Sequence, residues 1–161
     1  MQDVRAIANF VLSIAKERNA TVTNLSLNKI LYFVHAAYLQ KFGQPLVSAK
    51  IEAWDHGPVF REIYHQFKEF GDRRISRAAR KLDPTTGEYV EPTVALSQPQ
   101  VAYLNDVVND LLNISAGRLV DMSHIKDGPW HQARYGNGGI NPGVEITNDL
   151  ILSANSNPVR H

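Results

Sequence analysis

The chain has 161 residues, 43% of them hydrophobic and 20% charged, which suits one globular domain with its own core. Its net charge of +1 gives no overall attraction to nucleic acid or to a membrane surface. It has no cysteine, which excludes disulfides, thiolate catalysis and cysteine-ligated zinc. No apolar run approaches the roughly 18 residues of a membrane span, and the N-terminus is not that of a signal peptide, so we expect a cytoplasmic protein.

The first third of the chain carries two amphipathic helical patterns. The first starts at Val4, after a potential N-cap at Asp3. A polar connector, Thr21–Ser26, separates it from a second pattern that starts at Leu27 and ends at Gly43, a residue suited to a helix C-terminus. Additional aromatic residues beside the main stripe indicate that the second helix is buried on more than one side.

A Gly-Pro step follows in the segment 51–60, with the sequence IEAWDHGPVF. Proline fixes φ and disfavours helix in the residue before it, whereas glycine accepts backbone angles that other residues avoid. The step therefore predicts a fixed corner, with a third helix that starts at Pro58 and stops at Gly71. Its large and polar side chains make this corner either a structural joint or a docking surface.

The second half predicts a small β element and further helices. Turn-forming residues occupy positions 83–87, and the segments Glu88–Glu91 and Thr93–Leu96 are expected to pair as a hairpin or to lie as irregular strands. Ser97 with Gln100 forms a capping-box pattern at the start of a fourth helix.

The C-terminal part adds two short helices. Ser115–Ser123 is expected to form the fifth helix, and Asp127–Trp130 forms a second Gly-Pro corner. Gly136–Gly143, rich in glycine, predicts a loop, and Thr147 is a potential cap of a last short helix through Leu152.

These patterns predict a mainly α domain of about five to six helices, with a small β hairpin or irregular strand element. We expect one domain over residues 1–154 and a flexible tail over 155–161. Helical spacing further predicts that the second, third and fourth helices share one core, made of Leu31, Val34, Ile63, Phe67, Leu104, Val108 and Leu111.

The histidines are the first candidates for metal binding or catalysis. His56 and His65 are nine residues apart, and His124 and His131 are seven apart, so neither pair has the i, i+4 spacing of two ligands on one helix face. The sequence also lacks a Gly-x-Ser-x-Gly motif and a phosphate-binding loop. We therefore expect no metal, no cofactor and no enzymatic activity. A hydrolase or transferase built around His56 and His124 stays open as a weaker alternative.

Five basic residues lie within nine positions, and they would share much of one face if the segment were helical. They are Arg73, Arg74, Arg77, Arg80 and Lys81. This patch makes nucleic-acid or nucleotide binding the main alternative function, although the segment has no interleaved aromatic residues.

Several segments resemble the Panacea domain, the SocA-like antitoxin family. Residues 27–33, LNKILYF, resemble its LxKLLY opening, and residues 42–46, FGQPL, are similar to the turn that follows. Residues 51–59, IEAWDHGPV, resemble its EAWxxGPV motif. Residues 119–130, which contain LVDMSH and GPW, are similar to its LSxxTHxxxPW segment. His56 stands where members often carry an aromatic residue, Asn28 replaces a common glutamine, and the stretch 72–96 matches nothing in the family.

The resemblance implies a bacterial or phage antitoxin that neutralises a toxin by direct binding. Toxins paired with the family include translation inhibitors of the small-alarmone-synthetase type, and one related member delivers its toxin to a protease. Both Gly-Pro corners carry a tryptophan, a histidine and a nearby acidic residue, and both fall in the best-matched motifs. We therefore expect the two corners to lie together and to bind the partner through Trp54, Asp55, His56, Phe60, His124 and Trp130.

Overall fold

The computed structural model describes residues 1–136 and 143–154, and this part of the chain forms seven α-helices and two antiparallel hairpins. The elements are α1 (Val4–Glu17), α2 (Asn24–Phe42), β1 (Ile51–Trp54), β2 (Gly57–Phe60), α3 (Arg61–Phe67), a 3-10 turn (Lys68–Phe70), β3 (Lys81–Leu82), β4 (Tyr89–Val90), α4 (Gln98–Leu112), α5 (Ala116–Ser123), α6 (Pro129–Tyr135) and α7 (Asn148–Ala154). The predicted class, mainly α with a small β element, is confirmed.

The long helix α2 lies at the centre of the fold and contacts α1, α3, α4, α5, α7 and β2. It starts at Asn24, so the predicted start at Leu27 is wrong. The Thr23 hydroxyl accepts a hydrogen bond from the Ser26 N–H, and the Ser26 hydroxyl accepts one from the Thr23 N–H. Because of this capping box, the last residues of the polar connector, 24–26, form the first turn of the helix. Gly43, with φ of 71°, ends the helix as predicted.

The first Gly-Pro step is part of a β-hairpin, so the predicted helix start at Pro58 is wrong. β1 pairs with β2 around a two-residue turn, and α3 begins only at Arg61. Pro58 lies opposite Ala53, whose N–H donates to the Val144 carbonyl on the other side of β1. The missing N–H of the proline therefore costs no bond within the hairpin.

The remaining elements follow the sequence patterns more closely. Ser97 and Gln100 form the predicted capping box of α4, and Thr147 accepts a hydrogen bond at the start of α7. The second hairpin pairs β3 with β4 across residues 83–88. Of the two arrangements expected for Glu88–Glu91 and Thr93–Leu96, their pairing as a hairpin is therefore wrong. The short helix α6 was not predicted. It starts at Pro129, directly after the N-cap Gly128.

The expected core is confirmed. Each of the seven predicted residues is at most 2% exposed, and all belong to one buried cluster that also includes residues of α1 and α5. No helix within the described ranges is both long and apolar enough to cross a membrane. Most of the predicted loop Gly136–Gly143 and the whole predicted tail, 155–161, lie outside the described residues. The single-domain boundary at residue 154 stays a prediction.

Candidate partner-binding site

The two Gly-Pro corners contact each other, as expected from the sequence. We call Trp54–Gly57 the hairpin turn and His124–Trp130 the α5–α6 corner. The Trp130 indole N–H donates to the Trp54 carbonyl at 2.8 Å, and His124 Nε2 lies 3.2 Å from the Asp55 carbonyl oxygen. These bonds fix the hairpin turn against the α5–α6 corner.

A buried arginine adds a third link. Arg134 of α6 forms an ion pair with the Asp55 carboxylate and donates to the Ala53 carbonyl at 3.1 Å. Only 7% of the Arg134 side chain is exposed, whereas 77% of the Asp55 side chain is exposed. The guanidinium therefore depends on Asp55 for its counter-charge, so Asp55 serves the fold as well as the surface.

The six residues expected to bind a partner differ in exposure. Asp55 and His56 are exposed at the hairpin turn, and Trp54 and His124 are partly buried beside them. Trp130 is 6% exposed and supports the turn from below. Phe60 is fully buried, and its N–H donates to Asn28 Oδ1 at 2.9 Å. β2 places the Phe60 ring in the core, so in this structure Phe60 presents no surface to a partner.

A cavity of about 580 Å³ opens beside the hairpin turn, between α2, β1, β2 and α3. The Trp54 and Tyr64 rings form one wall, with their centroids 4.9 Å apart. Arg61 binds Glu52 through two hydrogen bonds of 2.9 and 2.8 Å, and its guanidinium lies 5.8 Å from the centroid of the Trp54 ring. The hydrogen bond from Arg61 holds the pKa of Glu52 below its ordinary value.

Lys29, which sequence reasoning did not select, touches the cavity from α2. Its side chain is fully buried, and Nζ donates to the Pro58 carbonyl at 2.9 Å. Among the described residues, no carboxylate lies within 4 Å of this ammonium group. Burial lowers the pKa of Lys29 to about 7. A lysine in segment 27–39, where Asn28 and His35 are the other strongly polar residues, was the available signal, because such a helix offers little polar face to water.

Gly57 leaves room for this lysine. A Cβ atom at position 57 would lie 2.6 Å from Lys29 Cε and 2.7 Å from Ser123 Oγ. The φ of Gly57, 113°, is also in the region that favours glycine. Three of the four segments that resemble the family, 27–33, 51–59 and 119–130, therefore meet at this point in space.

The basic segment does not form the helical face that the alternative function requires. Residues 73–80 are irregular. Arg77 forms an ion pair with Glu69, Arg73 donates to the Phe70 and Glu69 carbonyls, and Lys81 lies 3.6 Å from Asp3. Arg74 and Arg80 are exposed. Three of the five cations are thus engaged within the protein.

The histidines do not assemble a site with the carboxylates around them. Within residues 1–136 and 143–154, no three His, Asp or Glu side chains converge closely enough to hold a metal ion. His124 lies with its two ring nitrogens against the carbonyl oxygens of Val120 and Asp55, at 2.8 and 3.2 Å. Its ring therefore contributes to the joint between the corners.

Comparison with known proteins decides the family. A family model described as "Antitoxin SocA-like, Panacea domain" matches residues 27–131. The chain belongs to the Panacea family. The match covers both corners, β1, β2, α3 and most of α2, which together supply most of the cavity lining. Antitoxin SocA of Caulobacter vibrioides (strain NA1000 / CB15N) is 33% identical over 150 residues, which is 92% of this Panacea chain and 80% of that protein. No solved structure matches the chain.

Proposed function

We propose that this Panacea protein is an antitoxin that neutralises a partner toxin by direct protein–protein binding. The observation that carries the proposal is the family match over residues 27–131, together with the similarity to a protein named Antitoxin SocA. The family also favours a regulatory role over an enzymatic one. The toxin would be encoded next to this chain, and we expect the pair to act in the cytoplasm.

The hairpin turn and the α5–α6 corner are the proposed contact surface. Asp55 and His56 are exposed at its centre, with Trp54 and His124 beside them. The bonds from Trp130 and Arg134 already hold this surface in place. A partner would therefore dock without ordering it first, which reduces the entropic cost of binding. Tryptophan is among the residues enriched at interface hot spots.

The test is growth rescue in cells that express the toxin encoded by the adjacent gene. His56→Ala is the informative change, because the side chain is exposed and makes no hydrogen bond to the described residues. We expect it to weaken binding by about 1 kcal/mol or more while the melting temperature stays unchanged. Glu88→Ala, at an exposed position of the other hairpin turn, is the control and should rescue fully. Equal rescue by both variants would contradict the proposed surface.

Asp55→Ala is less suitable for this test. Removal of the carboxylate would leave the buried Arg134 without its counter-charge, so a loss of stability would accompany any loss of binding. The same applies to Phe60→Ala, which would leave a void in the core.

The fate and the kind of the toxin are finer parts of the proposal. Toxins paired with the family include translation inhibitors of the small-alarmone-synthetase type, and a toxin of this type is the proposed partner. Neutralisation would end either in a stable complex or in delivery to a protease. The half-life of the toxin, measured with and without this protein, separates the two outcomes. A shortened half-life that depends on a host protease indicates delivery, whereas an unchanged or longer one indicates a stable complex.

Nucleic-acid binding through Arg73–Lys81 is the alternative function. It has weaker support, because Arg73, Arg77 and Lys81 contact groups of the protein itself. Salt-dependent binding to tRNA or DNA that is lost in an Arg74→Ala, Arg80→Ala double variant would favour it.

A further inference from the structure

The charges that line the cavity do not balance. Glu52 is paired with Arg61, and Asp55 is paired with Arg134. Lys29 and Lys68 also line the cavity, and among the described residues neither has a carboxylate within 4 Å. A buried ammonium group without a counter-ion is costly, and a ligand that supplied a negative charge would remove part of that cost.

The walls of the cavity are mostly apolar. Trp54, Tyr64 and Val59 line it, and Leu25 is 42% exposed beside them. Asn24 and Leu25, in the first turn of α2, also line it. A volume of about 580 Å³ accommodates a short segment of chain with one or two side chains.

We propose that this cavity receives an acidic side chain, flanked by apolar residues, from the protein partner. The exposed Lys68 would contact the carboxylate, and the buried Lys29 would add its charge from beneath the wall. The inference rests on the proposed function and names the chemistry of the partner at that same surface. The cavity adjoins the hairpin turn, since Trp54, Asp55 and His56 line it. One docking event would therefore cover the turn and fill the cavity.

The hydrogen-bond donors favour a carboxylate over a phosphate group. A phosphate binds best where several N–H groups or a free guanidinium fork converge. The Arg61 fork is occupied by Glu52. The Asn28 amide is bonded to Asn24, and the Asn24 amide donates to the Tyr64 carbonyl. The two lysines act as point charges, which a single carboxylate can compensate.

The first test does not need the toxin. Isotope-labelled protein is titrated with 3-phenylpropionate, which joins a carboxylate to an apolar ring, and with the neutral 3-phenylpropanamide. The chain has two tryptophans. Trp54 lines the cavity, so its indole N–H signal reports binding there. Trp130 does not line the cavity, so its indole N–H signal serves as an internal control. We expect a saturable shift of the Trp54 signal, with affinity for the acid about tenfold above that for the amide.

Variants at the two lysines complete this test. Lys29→Met and Lys68→Met should each reduce the affinity for the acid in part, and the double variant should reduce it to that for the amide. Lys16→Met, an exposed lysine on α1 outside the cavity, should change nothing. Equal affinities for acid and amide, no binding of either, or tighter binding of adenosine monophosphate than of the acid would overturn the inference.

The second test uses the purified product of the adjacent gene. If the inference holds, Lys29→Met and Lys68→Met weaken the complex more than Lys16→Met does. Unchanged affinity in the first two variants would overturn the inference and leave the proposed function standing. A carboxylate site in the first test without any complex in the second would support the site and contradict the proposed function.

Discussion

Lys29 is fully buried, yet within residues 1–136 and 143–154 only one of its three ammonium protons has a partner, the Pro58 carbonyl. Its folded pKa of about 7 lies below its ordinary value of 10.5 because burial disfavours the charged form. Between these two values the unfolded chain binds more protons than the folded one. The free energy of unfolding must therefore rise with pH across this range.

Urea melts at pH 7 and pH 9 test this consequence. We predict that the wild type gains about 2 kcal/mol of stability over this range. Higher pH is less informative, because burial raises the pKa of Tyr32 and ionisation of tyrosine then favours the unfolded chain. Lys29→Met should be at least as stable as the wild type at pH 7 and should lose most of the pH dependence. Equal free energies of unfolding at pH 7 and pH 9 in the wild type would contradict this prediction. They would show that Lys29 stays protonated in the folded protein.

At the scale of secondary-structure elements, the contact between α2 and α7 contains a second buried titratable group. His35 Nε2 lies 2.8 Å from Asn148 Oδ1, and among the described residues His35 Nδ1 has no hydrogen-bond partner. Burial lowers the pKa of His35. As the pH falls below about 6.5, His35 is therefore protonated more readily in the unfolded chain than in the folded one. The free energy of unfolding then decreases.

We predict that stability, followed by urea melts, falls between pH 6.5 and pH 5 in the wild type. His35→Gln, which cannot be protonated in this range, should reduce the fall. If the variant has the same pH dependence as the wild type, His35 is not the group that titrates.

The contacts among α2, α3 and α4 give a prediction about the core. Leu31→Ala or Phe67→Ala should cost about 2–5 kcal/mol, because each removes buried apolar surface and leaves a cavity. Leu25→Ala is the matched control on α2, since Leu25 is 42% exposed and should cost less than about 1 kcal/mol. Urea melts measure all three changes, and similar costs at Leu31 and Leu25 would contradict the observed packing.

Helices with local start signals could be predicted from the sequence. The caps at Asp3, Ser97 and Ser115 depend on residues within one turn, and α1, α4 and α5 begin there. From the sequence, the β1–β2 hairpin could not be distinguished from a helix that starts at Pro58. Proline suits both the first turn of a helix and a strand position whose N–H makes no hydrogen bond. What decides between them is the pairing of β1 with residues 143–146, which is distant in sequence.

At the scale of the whole molecule, the candidate site combines segments that the sequence keeps far apart. The two corners were expected to meet, because each carries a tryptophan and a histidine, and Trp130 does bind the Trp54 carbonyl. The cavity was not expected, because its floor is a lysine in a helix and its walls come from α2, the hairpin and α3. Local sequence patterns carry no information on such a three-way junction.

The family match makes neutralisation by direct binding the central claim, and hydrogen–deuterium exchange of the complex tests it most directly. The protein is compared with and without the purified product of the adjacent gene, the proposed toxin. We predict slower exchange at Ile51–Phe60 and at residues 119–130, with no change at Lys81–Val90. Absence of a complex, or protection confined to Arg73–Lys81, would contradict the claim.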